Sequence, residues 1–163
     1  MRCLNCAKII YPKTSQYWYE ESGLSNVILR NIPVYECSCG VSYASIFRIK
    51  RLNELIAQVL IEKPALLTGE EIRFLRKTLY LSSMDFSKDL GIGKTTLSKW
   101  ENSRQQHSEG HDRLIRALFL IHKGVKGQAA RKIWELLAEL QLSKADIDYL
   151  IVAEKLDTDY SVI

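Results

Sequence analysis

The sequence predicts an α+β chain: a small β-rich four-cysteine module with a following helix, then an all-helical domain, then a helical C-terminal extension. Three observations predict it. All four cysteines, Cys3, Cys6, Cys37 and Cys39, fall in the first quarter of the 163 residues. Loosely alternating, β-branched segments also cluster there. From Ile46 onward the apolar spacing changes to that of helices and stays so.

The predicted divisions are 1–64, 65–124 and 125–163. Within the first, Asn26-Val27-Ile28-Leu29-Arg30-Asn31-Ile32 is a strand candidate that continues through Pro33-Val34-Tyr35-Glu36, and Gln16-Tyr17-Trp18-Tyr19 is a second. So short a segment cannot build a sizeable core alone, and a bound metal would supply the missing stability. Ile46, Ile49, Leu52, Leu55, Ile56, Val59 and Leu60 then mark one helical face, and Lys63-Pro64 ends that helix, since a residue before proline avoids helical angles.

In the second division Thr68 opens a capping box with Glu71, and Ile72, Leu75 and Leu79 follow at core spacing. Ser82-x-x-Asp85 repeats the capping signal, and that helix closes at Leu90-Gly91. A short helix over Lys94 to Asn102 turns Leu97 and Trp100 inward. A polar loop, Ser103 to Gly110, precedes an apolar helix from His111 to His122, and Gly124-Val125-Lys126-Gly127 reads as a hinge. In the third division Ala129, Ile133, Leu136, Leu137 and Leu140, then Ile147, Leu150 and Ile151, predict two more amphipathic helices, the last capped by Ser143-x-x-Asp146.

Composition is that of an ordinary globular chain, 47% hydrophobic and 26% charged, with a net charge of +4. That charge is uneven. Residues 1–67 carry 8 basic and 5 acidic groups, residues 68–124 carry 10 and 7, and residues 125–163 carry 5 and 7. The acidic tail therefore masks a more basic body, which is where nucleic acid would be met. The apolar runs fall far short of the roughly 20 residues that cross a bilayer. Cys3 and Cys6 stand where a signal peptide would have its apolar core. The expectation is a cytoplasmic protein with no membrane partner.

Cys3-x-x-Cys6 and Cys37-x-Cys39-Gly40 form two thiol knuckles thirty residues apart, the second one residue tighter than usual. Four soft thiolates suit a tetrahedral Zn2+, and a closed shell of four leaves no open position for water, so the metal would be structural. Two disulfides, a redox pair, inert buried thiols and an iron–sulfur centre use the same residues. Reduced thiols in a chain without an export signal favour zinc. His107, His111 and His122 lie remote in sequence and read as surface or core residues rather than ligands.

Leu81 to Asn102 carries the second site. A helix that enters the major groove needs a preceding helix, a short turn, and small or polar residues on its exposed face. Leu90-Gly91-Ile92-Gly93 supplies the turn. Lys94, Thr95, Thr96, Ser98 and Lys99 supply the face, and Lys88, Lys94, Lys99 and Arg104 are placed to meet phosphates. Gly93-Lys94-Thr95 is not a nucleotide loop: the glycine required five residues earlier is Lys88, and no strand precedes it. No Gly-x-Ser-x-Gly, no His-Glu-x-x-His and no catalytic carboxylate pair occurs, so no enzyme activity is expected.

With both sites placed, the chain resembles the MqsA (YgiT-type) antitoxin family over residues 1 to about 122. Those proteins join a zinc-binding domain to a helix-turn-helix of the Xre/Cro type. The residues that carry the resemblance are Cys3-Leu4-Asn5-Cys6, Asn26-Val27 and Pro33 to Gly40, Leu67 to Arg76, Leu90-Gly91-Ile92 and Leu97-Ser98-Lys99-Trp100-Glu101-Asn102. The resemblance implies a homodimer on palindromic double-stranded operator DNA, repression of its own operon, and a cognate toxin partner. It also implies that Thr95 and Lys99 face bases with Lys94, Thr96 and Ser98 beside them. Three positions depart from the pattern. Ser83 stands where a phosphate-touching glutamine is usual, Gly93 replaces a serine cap, and residues 125–163 exceed the short antitoxin length. A stand-alone zinc-containing regulator without a toxin is the alternative.

Overall fold

The computed structural model of the protein describes residues 1–139, 148–155 and 159–162. It is a mixed α+β chain that divides into two compact units, Met1–Leu55 with Asp148–Ile163, and Ile56–Ile147.

The first unit is built on β2 (Val27–Glu36), the longest strand. β1 (Pro12–Trp18) pairs with it antiparallel, from Pro12 opposite Tyr35 to Trp18 opposite Ile28. β3 (Ser42–Ala44) pairs with its last residues, and β4 (Tyr149–Lys155) runs parallel to its first, Val27 to Arg30. β5 (Asp159–Val162) closes the sheet as a hairpin with β4. Alternation on β2 slips once. Val27 and Leu29 are buried, then Ile32 and Val34. The extra residue is absorbed at Asn31, whose φ is 58°, opposite an irregularity between Ser15 and Tyr17 of β1. A bulge of this kind returns the apolar side chains to the core face, which an uninterrupted strand would have left in water.

β4 and β5 correct the expectation for the tail. Among the described residues the C-terminal extension is helical in its first part, α6 (Gly127–Glu139), and extended in β4 and β5. Leu150 and Ile151, read as one face of a last helix, lie instead on a strand whose Tyr149 and Ile151 are buried. The run Tyr149-Leu150-Ile151-Val152-Ala153 is too short to separate the two periods by spacing, and pairing with a strand more than a hundred residues away decided it. The expected cap Ser143-x-x-Asp146, with Leu140 and Ile147, lies outside the described residues.

Helix α1 (Ile49–Glu62) begins three residues later than its apolar stripe predicts, after Arg48 at φ 47°. The second unit contains four further helices before α6: α2 (Gly69–Thr78), α3 (Ser83–Asp89), α4 (Lys94–Glu101) and α5 (Glu109–His122). The starts of α2 and α3 follow the sequence signals: Thr68 and Glu71 form the full capping box, and Ser82 accepts from the Asp85 N–H. α5 starts two residues earlier than its apolar spacing predicts, within the expected loop, where Ser108 accepts from the His111 N–H. α2, α3, α4 and α5 end alike, with a left-handed residue that wraps the chain back onto the last turn. After α3 that residue is Gly91 at φ 67°, with Gly91 N–H on Lys88 O and Ile92 N–H on Ser87 O. Tyr80 and Ser103 fill the same position after α2 and α4 at φ 58° and 55°.

Ile72, Leu75, Phe86, Leu97, Trp100, Ile115 and Phe119 are buried in this unit. Polar groups are buried with them. Lys63 Nζ reaches Glu71 Oε2 at 2.6 Å, and the same oxygen caps the Thr68 N–H. Arg116 spans the end of α1, donating to the carbonyls of Leu60, Ile61, Lys63 and Ala65 while Asp112 holds its Nε. The carbonyls of Leu60 and Ile61 are orphan acceptors of the helix end and those of Lys63 and Ala65 follow it, so one guanidinium caps the helix and holds the segment after it.

Candidate metal centre and exposed helix

Both cysteine knuckles are turns closed by the backbone, and the one-residue difference in spacing appears as a difference in turn type. Cys3 O accepts from the Ala7 N–H four residues on, whereas Cys37 O accepts from the Gly40 N–H three residues on. In each, the residue after the second cysteine is left-handed, Ala7 at φ 58° and Gly40 at φ 87°. Cys3 N–H on Lys8 O and Cys37 N–H on Val41 O complete the turns. Lys8 Nζ bonds Ser38 Oγ at 3.1 Å and ties one knuckle to the other.

The four thiols predicted as ligands come together. Their Sγ atoms all lie within 4.8 Å of one another, with Cys6–Cys37 at 3.3 Å and Cys3–Cys39 at 3.6 Å. None is in a disulfide. A metal with M–S bonds of about 2.3 Å sets tetrahedral sulfur atoms roughly 3.8 Å apart, so one ion fits among them with little adjustment. Ile10, Tyr35 and Tyr43 pack against the cluster, and Asn5 Nδ2 approaches Cys39 Sγ at 3.7 Å.

Protonation divides the set. Backbone N–H groups of Cys6 and Asn5 draw the Cys3 thiol down to about 6. Cys39 is also lowered, first by the Val41 N–H. Cys6 is drawn down by the Lys8 N–H but pushed up more by Cys37, burial and the other thiols, to about 12. Four thiolates this close repel one another, and a cation in their midst removes that conflict. Four thiols so placed could hold a metal ion. No histidine takes part: His107 is buried on Asp112, His111 lies against Trp100, and His122 faces Asp89 at 3.0 Å.

Of the residues predicted for nucleic acid, five lie on α4. Lys94, Thr95, Ser98 and Lys99 are exposed and Thr96 is half-buried, while Leu97, Trp100 and Glu101 face the core. Arg104 is exposed just beyond α4, and Ser83 is half-buried at the start of α3. Lys88, Lys94, Lys99 and Arg104 make no ion pair among the described residues. Ser98 is engaged by Asn102, whose Nδ2 donates to its carbonyl and hydroxyl oxygens.

The residues that hold α4 in place carried no local signal. Arg76 grips the Glu101 carboxylate through Nε at 2.6 Å and Nη2 at 2.9 Å, and its Nη1 donates to Leu81 O. Arg73 donates to Glu101 O and Asn102 Oδ1, both at 2.7 Å. At Gly69 a Cβ would sit 2.3 Å from Trp100 O, so α2 approaches the end of α4 as closely as glycine alone permits. Arginine and glutamate twenty-five residues apart show this pairing only once folded.

Among the described residues no helix is long and apolar enough to cross a membrane. Comparison with protein-family models, with curated proteins and with solved structures gives no match for this chain.

Proposed function

We propose that the chain is a sequence-specific DNA-binding transcriptional regulator in which α4 enters the major groove and a structural Zn2+ closes the N-terminal four-cysteine cluster. The observation that carries the reading is the division of α4. Lys94, Thr95 and Lys99, with no side-chain partner among the described residues, stand on its open face, while its other face is locked by Leu97, Trp100 and the Arg76–Glu101 fork. A groove-reading helix needs both, because base contacts demand a rigid support. Thr95 and Lys99 read bases. Lys88, Lys94 and Arg104 meet phosphates, as does Ser83, whose short side chain replaces the longer amide expected there. Zinc fits a donor set of four thiolates, and a full tetrahedron leaves no position for catalysis.

The family resemblance extends the proposal to a homodimer that represses its own operon and neutralises a toxin encoded beside it. A stand-alone regulator is the second reading.

Selection from a random duplex library, then mobility shifts on the selected site, tests the main reading. Replacing Thr95 or Lys99 by alanine should cost about 1–3 kcal/mol and relax the preference at one base pair. A library from which nothing is enriched would overturn it. Co-expression with the neighbouring gene product, scored for rescue of growth arrest, decides between the toxin-linked and stand-alone readings.

A further inference from the structure

Cys39 differs from the other three thiols in being exposed, whereas Cys3 and Cys37 are buried and Cys6 is half-buried. A thiolate site open at one ligand admits small oxidants to that sulfur and shields the rest. The Cys39 sulfur lies 3.6 Å from that of Cys3, and a second pair, Cys6–Cys37 at 3.3 Å, also runs between the knuckles. A disulfide closes at about 2.05 Å, so either cross-knuckle pair needs a movement of only some 1–2 Å. Such a bond would keep the two knuckles joined as the Lys8–Ser38 hydrogen bond does.

Resting on the reading of this cluster as a metal centre, we propose that Cys39 is a hydroperoxide-reactive site resolved by Cys3, so that oxidation exchanges the metal ion for a Cys3–Cys39 disulfide. The Cys39 sulfur attacks one peroxide oxygen and the O–O bond breaks. Cys39 becomes a sulfenic acid, losing two electrons, and the departing oxygen takes a proton from solvent. The Cys3 thiolate then attacks the Cys39 sulfur, the S–S bond forms, and hydroxide leaves and is protonated to water. Two thiols and one hydrogen peroxide thus give one disulfide and two waters. With two of four ligands consumed the metal loses its tetrahedron and leaves. A second equivalent of peroxide joins Cys6 to Cys37.

The test is graded hydrogen peroxide added to the zinc-loaded full chain. Released zinc is followed with a chromogenic chelator, and disulfides are mapped by peptide mass spectrometry after blocking free thiols. The expected result is Cys3–Cys39 as the first bond, with zinc release in step with it and slowed at least tenfold in Cys39→Ser. A first bond between Cys3 and Cys6 or between Cys6 and Cys37 overturns the proposal, as does sulfinic acid at Cys39 without a disulfide. Should Cys39→Ser fail to hold zinc, the order of bonds in the unaltered chain decides alone. A purified chain that binds no metal would instead sink the metal reading, and mapping on that metal-free chain would still test the Cys3–Cys39 pairing.

Discussion

Arg116 Nε donates to Asp112 Oδ1 at 2.6 Å, and both side chains are wholly buried. Removing one partner of a buried pair leaves an uncompensated charge and costs about 3–5 kcal/mol. Arg116→Ala should fall in that range in urea denaturation. Buried pairs can often be replaced by apolar residues at no loss, but here the pair also serves the backbone. Arg116 satisfies four carbonyls in the last turn of α1 and just beyond it, and Asp112 accepts from the Leu67 N–H at 2.7 Å. Arg116→Met with Asp112→Leu would orphan them all. The double variant should therefore remain at least about 2 kcal/mol less stable than the parent, and parity with it would show that these carbonyls find water instead.

The same carboxylate makes stability depend on pH in a predictable direction. Burial pushes Asp112 up, but the His107 hydrogen bond, the Arg116 charge and the Leu67 N–H outweigh it and hold the group below the ordinary aspartate value. A depressed folded value contributes stability that is complete above the unfolded value, about 4, and is lost as pH falls through the folded one. Asp112→Asn cannot titrate. Denaturation between pH 5 and 2 should give the parent a slope steeper than the variant's, by up to about 1.4 kcal/mol per pH unit. Equal slopes would remove Asp112 as the source.

How far the sequence reached differs between the two units for a physical reason. Helix starts are local: Thr68 with Glu71, and Ser82 with Asp85, satisfy donors within three residues, so their type and spacing suffice. The four-cysteine cluster was legible because metal chemistry selects residue type regardless of what lies between. The parallel pairing of Val27–Arg30 with Tyr149–Val152 was not, since its energy comes from a partner remote in the chain. Nor were Arg73, Arg76 and Glu101, ordinary surface residues by type, whose pairing follows from the approach of α2 to α4.

That approach can be tested at Gly69. Alanine there puts a Cβ against Trp100 O and the backbone of Glu101, neither of which is a flexible tip. Helical propensity alone would favour alanine by up to about 1 kcal/mol. Overpacking against backbone costs about 1–3 kcal/mol and should win. Gly69→Ala is expected to lower thermal stability and to weaken operator binding through displacement of α4. A stabilised variant would mean that the two helices part without cost.

Ile151 reports on the tail. It is 0% exposed on β4, opposite Leu29 of β2, which is also 0% exposed. Ile151→Ala should cost about 2–5 kcal/mol in the unit that holds the cysteines, so metal would pass to a competing chelator faster than from the parent. An unchanged transfer rate, with Ile151→Ala folded, would separate the C-terminal strands from the four-cysteine cluster.

Tyr80 makes the opposite kind of prediction. It holds a left-handed backbone at φ 58° after α2, and its side chain is 83% exposed, so packing returns little for the strain. The turn itself is well made: Tyr80 N–H bonds Lys77 O, Leu81 N–H bonds Arg76 O, and the Arg76 guanidinium holds Leu81 O. Glycine meets that geometry without the Cβ penalty, about 1–2 kcal/mol for an L-residue. It also gives the unfolded chain more freedom, which takes back part of the gain. Tyr80→Gly should therefore stabilise the helical unit by about 0.5–1 kcal/mol in urea denaturation. Stability gained together with weaker binding to the selected operator would show that the exposed ring is kept for a contact outside the chain. Stability lost would show that the ring packs in solution more closely than its exposure indicates.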